Sequence, residues 1–442
     1  MDFLKWFYPG LGVKRYIILA LLGAFLSLSG TALLAATLLP FDQYMLIKWG
    51  ERFFGSLSRP PGAVVLVLTG VAGIVYGLVR AFRSVVYTLA PEDGGRLVEV
   101  LYTRRYLIRG PRVVVIGGGT GLAVLLRGMK KYTSNITAVV SVADDGGSSG
   151  RLRDDLGILP PGDIRNCLVA LADKESLMED LLQYRFSVGE LAGHSLGNLL
   201  IAAMNDLAGG FNQAIRGMSR VLAVRGRVLP STLENISLGA EYADGVVVYG
   251  ESNIPKRGKP IQRVFLEPRE CRPLPEALQA IEQADAVVLG PGSLYTSILP
   301  NLMVSGLADQ IARSGAVRIY VCNIMTQPGE TDGYTAADHL KAILAHSGKI
   351  MDYIVVNRGD IPRAVKERYS REGAVPVAPD IRVIEKEGVK AVSEQLLAEG
   401  DVVRHDPDRL ARLIFRLILK NGKDTRGRFS LLHNVNQTNG AE

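Results

Sequence analysis

Cysteine is scarce in this 442-residue chain, with only Cys167, Cys271 and Cys322. They stand far apart, in or beside apolar segments. They make neither a metal-binding spacing nor an even disulfide set, and they read as reduced thiols in a cytosolic domain. Histidine is nearly as rare, with five residues and no pair at i, i+4, so a helical zinc site is unsupported. No nucleophile elbow or Ser-His-Asp order is present, which leaves hydrolase triads without a basis. The chain's glycine run is not followed by Gly-Lys-Ser/Thr, so it is not a P-loop. Aromatic residues make up 7%, and no basic stripe interleaves with them. The net charge of +7 is confined to one end: residues 1–110 hold twelve Lys and Arg against six Asp and Glu, and the remainder holds 39 against 38. Nucleic-acid binding is therefore discounted, and the basic excess suits an anionic lipid surface instead.

Uncharged sequence is plentiful at the N-terminus. Tyr16 to Leu39 is 24 residues without a charge, about 36 Å as a helix, and Gly62 to Val79 gives 18 more. The first run is longer than a signal-peptide core and a second follows closely, which argues against both a cleaved leader and a buried hairpin. Two transmembrane helices are expected, at about 16–39 and 62–79. Gly73 and Gly77 give the small-xxx-small spacing that lets membrane helices approach. Lys5, Lys14 and Arg15 precede the first span, and Arg80, Arg83, Arg96, Arg104, Arg105 and Arg109 follow the second. The intervening loop carries Lys48, Arg52 and Arg59 against Asp42 and Glu51. That bias predicts both ends in the cytoplasm, a short external hairpin and a multi-pass cell-membrane protein whose large domain is cytoplasmic.

Residues 1–110 thus read as hairpin and basic connector, 111–420 as one α/β domain and 421–442 as a polar tail expected to be disordered. The domain opens with a buried strand, Val113 to Ile116, then Gly117-Gly118-Gly119-Thr120-Gly121 and a helix. A second strand, Thr137 to Val142, ends in Asp144 and Asp145. Ile164 to Ala172 reads as a helix, and Glu175 to Arg220 as mostly helical with a break at Val188 to Ser195. Short β-like pieces at Arg227 to Leu229, Val246 to Tyr249 and Ile261 to Leu266 suggest a small antiparallel excursion. A βα rhythm then resumes, with a helix at Pro275 to Gln283 and strands at Ala286 to Leu289, Val317 to Cys322 and Tyr353 to Val356. The fold class is α/β: a parallel sheet covered by helices on both faces, with an added helical and β lobe. Ligands of such sheets bind at the carboxyl ends of the strands.

Four groups of residues converge there. The glycine run lets the backbone approach an anion, and Thr120 supplies a hydroxyl that serves either as a cap for a helix starting at Leu122 or as a phosphate donor. Asp144 and Asp145 stand about where a dinucleotide fold holds a ribose, and paired acids also suit a Mg²⁺ shared with a diphosphate. Gly147, Ser148, Ser149 and Gly150 follow as a donor-rich loop, with Arg151, Arg153, Asp163, Arg165 and Asn166 close by and His194 and Asn198 at the start of a later helix. Gly290, Gly292, Ser293 and Tyr295 repeat the strand, glycine turn and helix device. Asn323, Thr326 and Gln327 add donors that suit a base or sugar.

In order along the chain, GGGTGL, ADDGGSSGRLR, PPGDIRN, GHSLGN, GPGSLYTSILPNL and NIMTQPGETDGYTAADH resemble the 2-phospho-L-lactate transferase-like (CofD-like) family, and more narrowly its YvcK branch, the gluconeogenesis factors. The resemblance covers roughly Arg112 to Leu419. It implies a Rossmann-like core with an added lobe, and for this branch binding of UDP-sugars such as UDP-N-acetylglucosamine. It also implies a part in routing carbon to peptidoglycan synthesis and in regulating bacterial cell shape. Arg404, in Arg404-His405-Asp406, is similar to the branch's RHD and is expected to reach the nucleotide sugar. The transferase branch implies the alternative, a Mg²⁺-dependent phospholactyl-type transfer supported by Asp144, Asp145 and Asp163. An oxidoreductase reading rests on the glycine loop alone. A homodimer and a separate regulatory protein partner are both compatible with this reading.

Overall fold

The computed structural model describes residues 13–38, 52–53, 55, 60–89, 106–173 and 176–421. The expected external hairpin, Lys5, Lys48, Arg59, Arg96, Arg104, Arg105 and the tail beyond Asn421 lie outside the described residues. The chain divides into two compact units, Met1–Arg105 and Tyr106–Glu442. The division precedes the expected boundary at residue 110 because Leu107 is buried in the second unit and its carbonyl accepts the Ser134 N–H at 2.9 Å.

The first unit contains two helices, Lys14–Leu38 and Pro60–Leu89, each long and apolar enough to cross a membrane. They run antiparallel and touch through small residues. A Cβ at Gly23 would meet the Gly70 carbonyl at 2.6 Å, and one at Gly77 would meet the Tyr16 carbonyl at 2.7 Å. Ser27 Oγ donates to the Val67 carbonyl at 3.2 Å. The expected pair Gly73 and Gly77 is thus half right: Gly73 has room for a methyl, and Gly70 with Gly77 carries the close approach. Leu21, Phe25, Leu28, Val75 and Phe82 point outward and are exposed.

The second unit is built on seven parallel strands in the order β10-β9-β8-β7-β1-β2-β3. They span β1 Val113–Gly117, β2 Ile136–Val140, β3 Arg227–Pro230, β7 Ala286–Leu289, β8 Val317–Val321, β9 Tyr353–Asn357 and β10 Lys390–Glu394. The adjacent strands β7, β1 and β2 are buried at every position, as continuous apolar runs between two helical layers should be. From β1 the chain winds outward through β2 to β3, then crosses back to β7 and winds the other way. The β1/β7 boundary is therefore the point at which the order reverses.

Two strand assignments differ from the sequence reading. Arg227–Pro230 pairs parallel with β2 and closes the main sheet instead of joining the antiparallel excursion. The excursion is β5-β4-β6, with β4 Ser237–Tyr242 at its centre, β5 Val247–Tyr249 and β6 Ile261–Glu267. Strand β4 is missed although Ser237, Gly239 and Glu241 alternate with its apolar residues at the period of a half-buried strand, and β10 because it is a polar edge strand. In the helical lobe, helices Ser176–Gln183, Leu196–Ala208 and Phe211–Val221 flank a break at 184–195, close to that expected.

Helix Gly119–Met129 packs beneath the C-terminal helix Pro407–Asn421. At Gly128 an added Cβ would lie 2.0 Å from the Pro407 carbonyl oxygen, whereas at Gly315 it would meet nothing within 4 Å. Gly128→Ala is expected to cost about 1–3 kcal/mol in denaturant melts, because backbone must yield to backbone. Gly315→Ala should stay within about 0.5 kcal/mol of the parent.

Candidate functional site

Both halves of the sheet deliver a glycine turn to the reversal point. Strand β1 ends at Gly117, Gly118 is extended, and a helix starts at Gly119 with no side-chain cap. Thr120 therefore stands inside the first turn instead of capping a helix at Leu122. Strand β7 ends in Gly290-Pro291-Gly292-Ser293, with Gly290 at φ +75°, before a wide turn at Leu294–Ile298. The two turns touch: a Cβ at Gly121 would lie 2.7 Å from the Pro291 carbonyl oxygen. Asn301 locks them together, donating to the carbonyls of Gly117 at 3.1 Å and Ser297 at 2.8 Å.

Above these turns opens a cleft of about 790 Å³. Gly118, Gly119, Thr120 and Gly121 line one side, and Gly292, Ser293 and Ser297 the next. The loop after β8 contributes Asn323, Thr326 and Gln327, and the far wall carries Tyr369, Arg404 and His405. Asn323 Nδ2 donates to the Gly292 carbonyl at 2.9 Å, and Gln327 Nε2 donates to Ser293 Oγ at 2.6 Å. The Thr326 hydroxyl accepts the Val375 N–H at 2.9 Å. These three side chains shape the cleft by holding its walls, while the turn amides and hydroxyls remain its inner surface.

Two arginines line the cleft. Arg404 lies on the far wall, and Arg127 comes from the helix behind the glycine run. Arg127 forms an ion pair with Glu179 of helix Ser176–Gln183, which lines the cleft with Gln183 one turn later. His405 is only 5% exposed. Burial pulls its pKa down to about 4 against an opposing hydrogen bond with the Cys322 backbone, so the ring is neutral. Its Nε2 has no hydrogen-bond partner among the described residues.

Carboxylates collect below the glycine run. The Asp163 carboxyl lies against Gly118, where a Cβ would sit 2.3 Å from its Oδ2. Burial first, then the neighbouring Asp144 charge, raise its pKa to about 6, opposed by a hydrogen bond from the Gly119 N–H. Glu251, from the loop after β5, is pushed well above the carboxylate range by burial and by Asp144 and Asp163. Asp144 Oδ1 accepts the Gly146 N–H at 2.9 Å. Its neighbour Asp145 turns the other way, accepting the Ser252 N–H at 2.8 Å and abutting Gly250, and so tethers the antiparallel lobe. Asp144 with Asp163, not Asp144 with Asp145, is the pair the fold brings together. Two carboxylates and a diphosphate are an ordinary Mg²⁺ complement, and a cation would relieve their repulsion. Among the described residues, no three His, Cys, Asp or Glu side chains are arranged to hold a metal by themselves.

The remaining expected residues, Asn166 apart, support the cleft without lining it. Gly147, Ser148, Ser149 and Gly150 are the first turn of helix Gly147–Leu156, not a loop. Ser149 Oγ accepts the Gly162 N–H at 3.1 Å. Ser148 Oγ meets His194 Nδ1 at 3.1 Å and accepts from Asn198 Nδ2 at 3.1 Å. Arg165 donates to Asn198 Oδ1 and to Asn166 Oδ1, both at 2.9 Å, and Asn166 alone of this network reaches the cleft. Ser195 caps helix Leu196–Ala208, with His194 beside it. Burial and then Arg151 lower the His194 pKa, and Arg151 donates to the Ala192 carbonyl at 2.9 Å. Tyr295 is core, its hydroxyl 2.8 Å from that of Tyr334. Sequence reasoning did not single out Arg127, Glu179, Ser297, Tyr369, His405 or Glu251 as site residues. Ser297 and His405 lie within quoted motifs, while the others stand on helices or loops without local signature.

The fold and this cleft define a doubly wound α/β protein whose ligand site opens where the strand order reverses. The chain belongs to the 2-phospho-L-lactate transferase CofD family, whose model matches residues 113–397. The gluconeogenesis factor of Bacillus subtilis is 52% identical over 311 residues, covering 70% of this chain and 98% of its own. A Nostoc protein carrying the gluconeogenesis-factor name is 46% identical over 421 residues, covering 93% of this chain and 92% of its own. A crystal structure of a UPF0052-family protein from Bacillus halodurans is similar at TM-score 0.68 and 53% identity, covering 69% of this chain and 98% of that one. Relatives thus come in two lengths. The long ones match into the N-terminal unit, and the short ones correspond to the α/β unit alone.

Asp163 gives the site a pH signature. Its folded pKa of about 6 lies above the ordinary carboxylate value, so its proton stabilises the fold below pH 4 and that contribution is lost as pH rises through 6. Asp163→Asn keeps an acceptor for Gly119 without the charge. Thermal melts should show it stabilised at pH 8, by up to roughly 3 kcal/mol, with the gain fading toward pH 5.

Proposed function

We propose that this protein is a membrane-anchored regulatory binder of a nucleotide-diphosphate sugar, of the UDP-N-acetylglucosamine kind, linking carbon metabolism to cell-wall synthesis and cell shape. The observation that carries this reading is the cleft: two glycine turns back to back at a strand-order reversal, with Arg127 and Arg404 on its walls. Turn amides and a helix N-terminus suit a diphosphate, and arginine forks match its oxygens. The volume of about 790 Å³ leaves room for a base and a sugar on either side. The name of the relatives points to carbon metabolism, and a nucleotide sugar is a product of that metabolism that cell-wall synthesis consumes.

The transferase reading has one observation of its own, the Asp144 and Asp163 carboxylates beside the expected phosphate. Calorimetry separates the two. UDP-N-acetylglucosamine should bind the full chain in detergent, and Arg404→Ala or Arg127→Ala should weaken binding about 10- to 100-fold. A guanosine-diphosphate donor that binds in its place, and turns over with a deazaflavin acceptor and Mg²⁺, would sink the binder reading.

Support for the anchor comes from the two apolar helices, their outward-facing leucines and phenylalanines, and their glycine-lined contact. Alkaline carbonate extraction should leave the protein in the membrane fraction. Recovery in the supernatant would remove the anchor.

A further inference from the structure

A second, smaller cavity of about 360 Å³ opens at the other edge of the main sheet, where β1, β2 and β3 begin. The five residues of β1, about 16 Å of strand, run from this edge to the edge that carries the cleft. Val113, Ile136 and Ala280 give the cavity an apolar floor. Arg112 and Arg227 stand on its walls with Gln283, and among the described residues no Asp or Glu lines it.

Backbone contacts fix these walls. Gly226 has φ +102°, and a Cβ there would lie 2.5 Å from the Ile136 carbonyl oxygen, so the chain enters β3 pressed against β2. Asn135 Nδ2 donates to the Ile108 and Gly110 carbonyls, both at 2.7 Å, and Asp285 accepts the Arg112 N–H at 2.7 Å. The guanidinium groups are less well matched. Arg216 and Arg225, close by in sequence, pair with Glu276 and Asp173. Arg227 instead donates to Thr137 Oγ1 at 3.3 Å and forms no ion pair among the described residues. The Arg112 side chain meets Asp285 only at 3.9 Å from Nε. Two like charges thus face one cavity with a single carboxylate at long range, and an anion bound there would relieve their repulsion. Two forks present more donors than one carboxylate can accept, whereas a tetrahedral phosphate offers oxygens to both. The volume lies at the lower end for small-molecule sites, so the apolar floor leaves room for a small body attached to the phosphate.

We propose that this cavity is a second anion site, in which Arg112 and Arg227 hold the phosphate group of a small phosphorylated molecule. The proposal is independent of the nucleotide-sugar reading, because no residue lines both the cleft and this cavity.

Site-specific thiol protection tests this on the full chain in a maltoside detergent. Gln283 is exposed and Cys167, Cys271 and Cys322 are buried, so Gln283→Cys gives a neutral maleimide one reactive thiol at the cavity rim. Inorganic phosphate, titrated to saturation at constant ionic strength, should slow its labelling roughly threefold or more. Labelling of Val246→Cys, exposed on the antiparallel lobe, should not change. Adding Arg227→Ala or, separately, Arg112→Ala should raise the phosphate concentration for half-protection about tenfold, and Arg227→Lys, which keeps the charge without the fork, should raise it less. A thermal melt without phosphate checks that each variant is folded, and either arginine suffices for the test. Absence of protection by phosphate, equal protection at Val246→Cys, or a midpoint that neither alanine moves overturns the proposal. Protection by phosphatidylglycerol in mixed micelles but not by inorganic phosphate gives the site to a lipid headgroup and overturns it as well.

Discussion

Where β1 and β7 lie side by side, two backbone turns press against each other with no side chain between them. The Gly121 and Pro291 contact leaves less space than one methyl group requires, and the Gly118 carbonyl lies 3.2 Å from where a Cβ at Gly292 would stand. That approach decides most of what surrounds it. It brings the start of helix Gly119–Met129 beside the Ser293 turn, so the amides of both face one cleft. It gives the Asn301 amide two carbonyls to bridge from opposite halves of the sheet. It also leaves space beneath Gly118 for a carboxyl group.

That carboxyl gives the cleft its electrostatic character. Asp163 accepts the Gly119 N–H, a donor that an anion at the glycine run would also seek. A phosphate there and an ionised Asp163 therefore compete for one hydrogen bond and repel each other. A proton on Asp163, or a cation between it and Asp144, removes the conflict. The walls carry the opposite charge through Arg127 and Arg404, while His405 stays neutral in its buried setting. Arg127 is already paired with Glu179, so an incoming anion must compete with that carboxylate as well.

The two units follow different physics. In the N-terminal pair, several leucines and phenylalanines point outward, while glycine and serine line the contact together with Leu33, Ala63 and Leu66. In the α/β unit the fully buried strands β7, β1 and β2 lie side by side within the sheet. The short relatives span about the length of the second unit alone.

Much of the fold was legible because its signals are local. Continuous apolar runs such as Val113–Ile116 and Ala286–Leu289 mark strands buried on both faces, glycine runs mark the turns that follow them, and long uncharged stretches mark the two N-terminal helices. Those same signals pointed to Gly118, Thr120, Gly292 and Asn323, which line the cleft, while Arg404 was expected only from the family resemblance. Tertiary structure alone decided the rest. Asp144 and Asp145 are adjacent in sequence, yet successive side chains leave an extended chain on opposite sides, so one faces Asp163 and the other holds the Ser252 loop. Arg127 carries no motif, and the motif that holds Asp163 does not say which acid it faces. Arg127 becomes a site residue, and Asp163 the partner of Asp144, because parallel winding returns distant helices to one sheet edge, a long-range packing outcome that no local pattern encodes.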